Sequence, residues 1–265
     1  MNCDIDISGV VLKTNRLLLR EWTENDLQDF FGYCSEDGVG QMAGWAPHEN
    51  IEKSKQILDL FIGEKKTFCI DFGGKAIGSV GIEKYDESKF PEYANLKGRE
   101  IGFVLSKAYW GRGIMPEAVK AVIKYCFENL GCDFLMCGHF VWNTQSKRVQ
   151  QKCGFRYFKT IDYVTRMGTH EQTDENVLFA SEFEKGQLLK NFDSIHTTAS
   201  SEKRVSKNLG IESNVVDYCK KIVLQEDCKV SRRGKNFYAN TADVQITINA
   251  NSHTIITAHK SAKKA

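Results

Sequence analysis

Residues 106–118 read Ser-Lys-Ala-Tyr-Trp-Gly-Arg-Gly-Ile-Met-Pro-Glu-Ala. The apolar run before them, residues 99–105, predicts a strand, and apolar residues at helical spacing from Pro116 onward predict a helix. Gly111 and Gly113 allow the connecting turn to approach a ligand without a Cβ atom. A strand, a glycine-bearing turn and a helix N-terminus gather backbone N–H groups at the positive end of a helix dipole, which favours a phosphate-type anion. An ordinary tight connector has the same pattern, so this stretch alone does not identify an anion site.

A second informative stretch covers residues 141–155. Asn143 is placed to cap a helix over residues 144–153, which Gly154 ends, and Ser146 shares the exposed first turn of that helix. The alternative interpretation is a well-capped helix without a further role. The two stretches gain weight only when they are considered together with the order of the other elements.

Hydrophobic periodicity predicts the element order β-α-α-β-β-β-α-β-α-β-β as far as residue 183. This order indicates an α/β (α+β) fold with a mixed sheet and helices on its faces. The predicted strands are 16–21, 67–72, 75–85, 99–105, 133–141, 155–165 and 175–183, and the predicted helices are 23–34, 50–63, 116–130 and 144–153.

The polar, Ser- and Thr-rich segment 192–203 predicts a domain boundary, with one domain over residues 1–191 and a second over 192–265. After this segment the pattern starts again with two short helices and four short strands, which indicates a small α+β domain. The second domain carries 12 Lys and Arg against 7 Asp and Glu. A surplus of this size is usually a solvated surface, so a nucleic-acid partner is not favoured.

The composition is that of a globular protein, with 42% apolar and 26% charged residues among 265. No apolar run is long enough to span a membrane and residues 1–11 do not resemble a leader, so we expect a cytoplasmic protein without a membrane partner. Nine cysteines occur without a C-x-x-C pair, which argues against a zinc site and against a disulfide framework. His196, His253 and His259 also match no metal-ligand spacing, so we expect no metal.

Across about residues 11–183 the chain resembles the GNAT superfamily of N-acetyltransferases, and within it the branch of the ribosomal-protein alanine acetyltransferases. The motifs that carry the resemblance are Thr14 to Arg20, Ala43-Gly44-Trp45, Glu100 to Phe103, Tyr109 to Gly113 with Glu117-Ala118, Asn143-x-x-Ser146-x-Arg148, and Lys152 to Phe155. Residues 193–261 resemble a small bacterial domain family of unknown function, which implies no activity.

The GNAT resemblance implies a mostly antiparallel sheet, splayed between its fourth and fifth strands, with acetyl-CoA in the cleft. The family's pyrophosphate loop corresponds to Trp110, Gly111, Arg112, Gly113, Ile114 and Met115. The strand edge that pairs with pantetheine corresponds to Phe103, Val104 and Leu105, and polar contacts on the CoA side correspond to Asn143 and Arg148. Trp110 and Met115 depart from the wider superfamily, which has Gln or Arg and Gly or Ala at these places.

Acetyl transfer to an amine needs a neutral nitrogen, donors for the carbonyl oxygen and a proton source for the departing thiolate, but no covalent enzyme intermediate. The resemblance assigns Glu100 as the general base, directly or through water, and Ser146 as the group that protonates or hydrogen-bonds the thiolate. Trp45 and Tyr85 are candidates for the wall of the acceptor pocket, with plain core aromatics as the alternative. Cys153 and His139 are expected to be structural.

The predicted reaction is acetylation of a primary amine, either a protein N-terminus or a small molecule, in a ternary complex with acetyl-CoA. The competing hypothesis is a non-catalytic acyl-CoA-binding sensor or scaffold that acts through the C-terminal domain. The acceptor loops carry no recognisable code, and a homodimer is left open.

Overall fold

The computed structural model describes residues 1–212 and 214–261. The chain divides into two compact units, Met1–Leu178 and Phe179–Ala265. The strands of the first unit are β1 (Leu12–Lys13), β2 (Leu18–Arg20), β3 (Thr67–Phe72), β4 (Lys75–Glu83), β5 (Gly98–Leu105), β6 (Phe134–Phe140), β7 (Arg156–Val164) and β8 (His170–Phe179). Its helices are α1 (Leu27–Cys34), α2 (Ile51–Glu64), α3 (Ile114–Glu128) and α4 (Thr144–Cys153).

The eight strands form one sheet in the order β1-β2-β3-β4-β5-β6-β8-β7. The pairs β1–β2, β2–β3, β3–β4, β4–β5 and β7–β8 are antiparallel, whereas β5 and β6 run parallel and pair over Gly98–Glu100 and Phe134–Met136. Beyond Glu100, β5 continues to pair with β4 as far as Leu105. The sheet is therefore mostly antiparallel and opens between β5 and β6, so the predicted fold class is confirmed.

Helices cover both faces of this sheet. Phe68 and Cys69 follow one another on β3, so their side chains point to opposite faces. Cys69 packs in a buried cluster with residues of α1 and α2 such as Phe30 and Leu58. The Phe68 ring contacts Tyr125 of α3 edge to face. Accordingly, α1 and α2 lie on one face and α3 lies on the other.

The prediction was wrong at the end of the first unit. The sequence predicts a strand over residues 175–183, but β8 covers His170–Phe179 and a helix, α5 (Ala180–Leu189), follows it. The strand starts earlier because it forms a hairpin with β7, in which Val164 pairs with His170. The apolar run Val177-Leu178-Phe179 continues to Phe183 in sequence, which conceals the change from strand to helix.

The second unit consists of α5, β9 (His196–Thr197), α6 (Ala199–Leu209), α7 (Val215–Leu224), β10 (Lys229–Arg233), β11 (Asn236–Asn240), β12 (Val244–Asn249) and β13 (Thr254–Lys260). Its five strands form a separate sheet in the order β10-β11-β12-β13-β9. One core of buried residues joins the helices to this sheet, including Leu188, Val205, Cys219 and Ile246. In the part of the chain that the structure describes, no helix is long and apolar enough to cross a membrane.

The division between the units differs from the predicted boundary at residue 191. Leu188 of α5 has no exposed surface and belongs to the core of the second unit. The Ser- and Thr-rich segment contains β9 and the start of α6, whose first turn is capped by Thr198 through a hydrogen bond from the Ser201 N–H, 3.3 Å. Within the segment that the sequence predicts as a linker, Thr198 therefore acts as a helix cap. The two compact units divide between Leu178 and Phe179, at the end of β8.

We expect Leu188→Ala to destabilise the second unit by about 2–5 kcal/mol, the usual cost of emptying a buried leucine site. Hydrogen exchange should become faster in β10–β13 and stay unchanged in β3–β6. Gln187→Ala, at the neighbouring half-buried position, is the control and should leave both regions unchanged. Faster exchange in β3–β6 with Leu188→Ala would place α5 in the first unit.

Candidate functional site

A cavity of about 390 Å³ lies where β5 ends and where α3 and α4 begin. Both of the informative sequence stretches contribute to its wall, although 22 residues separate them in the chain. Of the predicted site residues, those that line it are Phe103, Val104, Leu105, Trp110, Gly111, Gly113, Ile114, Met115, Asn143, Ser146 and Arg148. The opening between β5 and β6 therefore brings the two motifs to one place.

The turn before α3 needs glycine for its backbone conformation. Gly111 and Gly113 have φ angles of 74° and 72°, in the left-handed region that side-chain-bearing residues rarely adopt. The backbone N–H groups of these two glycines have no acceptor among the described residues. The first N–H groups of α3, at Ile114 and Met115, have no partner within the helix. The cavity thus faces a set of unpaired donors at the positive end of a helix dipole, which suits a phosphate-type anion.

Polar contacts from the N-terminal segment hold the start of α3. The Glu117 carboxylate accepts hydrogen bonds from Thr14 Oγ1 at 2.6 Å and from Arg16 Nε at 2.7 Å. Arg16 Nη1 also donates to the Arg112 carbonyl at 3.0 Å. These bonds explain why Thr14, Arg16 and Glu117 occur together, since they fix the turn to the helix.

Arg112 is the one member of the predicted pyrophosphate loop that does not line the cavity. Its guanidinium lies over the rings of Tyr109 and Phe72, 5.2 and 5.7 Å from their centroids. The Trp110 indole N–H donates to the Leu105 carbonyl at 2.7 Å. Trp110 therefore closes the turn against the end of β5, and Arg112 stacks on neighbouring aromatic rings.

Asn143 fixes the start of α4. Its Oδ1 accepts from the Ser146 N–H at 3.0 Å, and its Nδ2 donates to the Met42 carbonyl at 3.0 Å. The side chain is buried, with 4% exposure. Asn143 consequently ties the helix to the loop around Met42, which is another part of the cavity wall.

Ser146 is held by a residue that the sequence reasoning missed. Gln150, one turn further along α4, donates from Nε2 to Ser146 Oγ at 3.2 Å and to the Gly138 carbonyl at 2.9 Å. Because Ser146 Oγ accepts this bond, its proton is available to donate into the cavity. The i, i+4 spacing of a polar side chain on the inner face of the predicted helix could have identified Gln150.

The charges around the cavity favour an anion. Arg148 and Lys152 of α4 line it, and none of the described residues that line it is acidic. Two cations and a helix N-terminus attract phosphate groups, and the Arg guanidinium can bind them through two hydrogen bonds.

Glu100 lies outside the cavity wall, at the point where the sheet opens. It is the last residue of β5 that pairs with β6, where it lies opposite Met136, and on its other side it lies opposite Glu83 of β4. Burial and the nearby Glu83 carboxylate raise the pKa of Glu100 to about 7, against a smaller opposing effect of Lys89. A carboxylate with this pKa can accept a proton close to neutral pH.

The two predicted acceptor-pocket aromatics do not line the cavity. Trp45 packs against the Gly40 backbone and the His48 ring, with 5.2 Å between the Trp45 and His48 centroids. Tyr85 is 3% exposed and packs edge to face on Phe134. The structure therefore places Tyr85 in the core and Trp45 in the loop that supports α1.

Cys153 and His139 show no arrangement for nucleophilic catalysis. The Cys153 thiol is buried, and burial raises its pKa to about 12, so the thiolate is scarce at neutral pH. His139 contacts Gln150 and Asn176 at 3.3 and 3.2 Å. Among residues 1–212 and 214–261, no group of three or more His, Cys, Asp or Glu is arranged to hold a metal ion.

Comparison with known families gives two matches. The model of the acetyltransferase (GNAT) domain family matches residues 16–156. The model of a protein family of unknown function, DUF3781, matches residues 189–259.

Individual proteins agree with the first match. The chain is 28% identical over 172 residues to the uncharacterized N-acetyltransferase YoaA of Bacillus subtilis, covering 62% of this chain and 93% of the relative. The structure of a ribosomal L7/L12 alpha-N-protein acetyltransferase in complex with coenzyme A superposes with a TM-score of 0.53 at 13% identity, covering 64% and 97% of the two chains. Spermidine N-acetyltransferase from Vibrio cholerae, in complex with CoA and spermine, superposes with a TM-score of 0.53 at 15% identity over 64% and 99%. At these identities the solved structures establish the fold alone.

Proposed function

Because the chain belongs to the acetyltransferase (GNAT) domain family, and is thus an acetyl-CoA-dependent N-acetyltransferase, we propose that acetyl-CoA binds in the cavity between β5, α3 and α4. The observation that carries this proposal is that two separate sequence motifs meet on one cavity with unpaired N–H groups and no acidic lining. The same arrangement gives little support to a sensor that has lost catalysis, since Ser146 and Glu100 are both present beside it.

The residues of the cavity fit the parts of CoA. Backbone N–H groups from Gly111 to Met115 would hold the pyrophosphate, with Arg148 and Lys152 as further phosphate contacts. The pairing of β5 with β6 ends at Glu100, so the edge of β5 at Phe103–Leu105 is available to pair with the amides of pantetheine. Bound acetyl-CoA supplies an activated acetyl group at the mouth of the opening between the strands.

Glu100 and Ser146 would handle the protons of the transfer. The acceptor nitrogen forms the new amide bond as the thioester C–S bond breaks, and the nitrogen loses a proton in the process. Glu100, directly or through water, takes that proton, since its raised pKa of about 7 allows it to act near neutral pH. Ser146 donates a hydrogen bond to the departing thiolate, and Gln150 holds the hydroxyl in place.

The acceptor in this proposal is a primary amine. The motifs resemble those of enzymes that acetylate protein N-termini, and one solved structure with this fold is a ribosomal-protein acetyltransferase. Another acts on spermidine, a small polyamine. An α-amine, with a pKa near 7.7–8.0, is about a tenth neutral at pH 7 and needs less help from a base than a lysine amine.

Incubation with acetyl-CoA and a panel of amines tests the function directly. Peptide N-termini, lysine peptides, spermidine and aminoglycosides are presented separately, and release of the CoA thiol is followed. We expect release above the hydrolysis background with at least one class, together with an acetylated product by mass spectrometry. Hydrolysis-level release with every class, in a protein that binds CoA, would support the sensor hypothesis instead.

A further inference from the structure

Three glycines share one face of the first sheet, near the opening between β5 and β6. Gly81 and Gly102 pair across β4 and β5, and Gly138 lies on β6 two residues after Met136, the partner of Glu100. A Cβ at Gly102 would have no neighbour within 4 Å. Because these three residues are glycines, no side chains project from the sheet at their positions.

Three glutamates lie beside these glycines on the same face of the sheet. Glu83 and Glu100 are directly opposite each other, so their side chains share a face, and Met136 and Gly138 continue that face on β6. The Glu175 carboxylate of β8 covers Gly138, since a Cβ there would lie 2.9 Å from Glu175 Oε1. The pairing of β3 with β4 and of β4 with β5 places Cys69 of β3 and Val104 of β5 on this same face. This is the face that α1 and α2 cover.

Two of the three carboxylates have no counter-ion among the residues that the structure describes. Glu83 is paired with Lys66, with 2.7 Å between Oε2 and Nζ. Glu100 and Glu175 have no hydrogen bond or ion pair to any described residue, although Glu175 is 6% exposed. Thr173 also covers Gly138, with its Cγ2 methyl group 3.0 Å from a Cβ placed at Gly138. A buried unpaired carboxylate is costly unless something else completes it.

The nearby cations do not pair with these carboxylates. Lys159 Nζ lies 4.4 Å from the Phe90 ring centroid and donates to the Lys89 carbonyl. Burial and the charge of Glu100 raise the pKa of Glu175 to about 8, while Lys89 and Lys159 oppose this only in part. Residues 1–212 and 214–261 therefore supply no counter-ion that pairs directly with Glu100 or Glu175.

We propose that Glu175 is a substrate-positioning residue, and that Glu100 and Glu175 together hold the ammonium form of a cationic acceptor amine between their carboxyl groups. Gly138 lies two residues after the β6 residue that pairs with Glu100, which is about 7 Å along the strand. This distance is suitable for an ammonium group between Glu100 and the Glu175 carboxylate that covers Gly138. An ammonium between the carboxylates would satisfy both of them and would place its proton beside Glu100. This inference rests on the proposed function, and it restricts the acceptor to amines that arrive positively charged, without a carboxylate next to the amine.

Kinetics of Glu175→Gln test the proposal with whichever amine the panel identifies. We expect KM for the amine to rise about tenfold or more, with kcat changed less than about threefold and KM for acetyl-CoA unchanged. Gly138→Ala should act in the same direction, since its Cβ would displace the Glu175 carboxylate. Asp162→Asn, an exposed carboxylate on the neighbouring strand β7, is the control and should behave as wild type.

Methylammonium chloride tests the pair without any turnover. At pH 8 we expect it to raise the Tm of the full-length wild-type chain above that in equal sodium chloride, and to raise the Tm of Glu175→Gln much less. An unchanged KM for the amine in Glu175→Gln, or an equal methylammonium effect in both proteins, would overturn the proposal and leave Glu175 as a structural carboxylate. If no amine is acetylated, the proposed function fails, and the methylammonium result still decides whether the pair binds an ammonium group.

Discussion

Glu100→Gln should lower kcat/KM for the amine by about 10²–10³-fold at pH 7.5, the range expected when a general base is lost. The amide keeps the size of the side chain but cannot accept the proton of the acceptor nitrogen. CoA affinity, measured by calorimetry, should remain within about twofold of wild type, because Glu100 lies outside the cavity wall. Asp59→Asn, an exposed carboxylate of α2, should leave both quantities unchanged.

The pH profile distinguishes a base from a structural glutamate. With a pKa of about 7, Glu100 is protonated at pH 5.5 and ionised at pH 8.5, so wild-type kcat/KM should rise through a limb near pH 7. This limb should be missing in Glu100→Gln, and the difference between the two proteins should be smaller at pH 5.5 than at pH 8. Glu83→Gln should move the limb to lower pH, since the charge of Glu83 contributes to the raised pKa of Glu100.

Stability provides a check that the variant is folded. A carboxyl group whose pKa is raised by folding ionises first in the unfolded chain, so it destabilises the fold increasingly from about pH 4.5 up to its folded pKa of about 7. Removing it should raise the free energy of unfolding at pH 8 by about 1–3 kcal/mol and change little at pH 4. A Glu100→Gln protein that keeps its activity and its pH limb would show that another group is the base.

The spacing of apolar residues and the residues at helix ends were sufficient to predict most helices and strands of the first unit. In α3 the apolar residues recur at helical spacing between a glycine turn and a glycine stop, and in α4 Asn143 and Gly154 mark the two ends. Such signals act within one or two turns of the chain and need no tertiary information. The helix α5 was missed because apolar residues on both sides of its start fit a strand equally well, and only packing in the second core decides between them.

The sequence predicts only part of the candidate site, because only some of the segments that form it carry a local motif. The glycine turn and the start of α4 carry recognisable motifs, whereas Val39, Met42 and Ala43 reach the cavity from a loop with no motif of its own. Glu175 is adjacent to Glu100 only through the strand order β5-β6-β8, which a sequence without a known register does not give. Residues that meet through sheet topology are therefore the ones that sequence reasoning omits.

Gly111→Glu should weaken CoA binding by about 100-fold or more, because it places a carboxylate in the turn that faces the pyrophosphate. Gly111 is preferred to Gly113 for this test, since a Cβ at Gly113 would lie 3.8 Å from Arg16 Nη2, which could neutralise the new charge. A Cβ at Gly111 has no neighbour within 4 Å. The effect of the added charge can therefore be measured without a steric clash.

The matched control is Gly111→Gln, which has the same size and the same backbone penalty at φ 74° but no charge. Both variants should lose about 1–2 kcal/mol of stability, the cost of a side chain in the left-handed region. By calorimetry, the Gln variant should bind CoA within about tenfold of wild type, so that most of the loss in the Glu variant comes from charge. The difference between the two should shrink in 1 M salt, where the Debye length falls to about 3 Å from about 10 Å at 0.1 M. Equal CoA affinity in the Glu and Gln variants at low salt would mean that the phosphates do not contact this turn, and it would remove residues 110–115 from the CoA site.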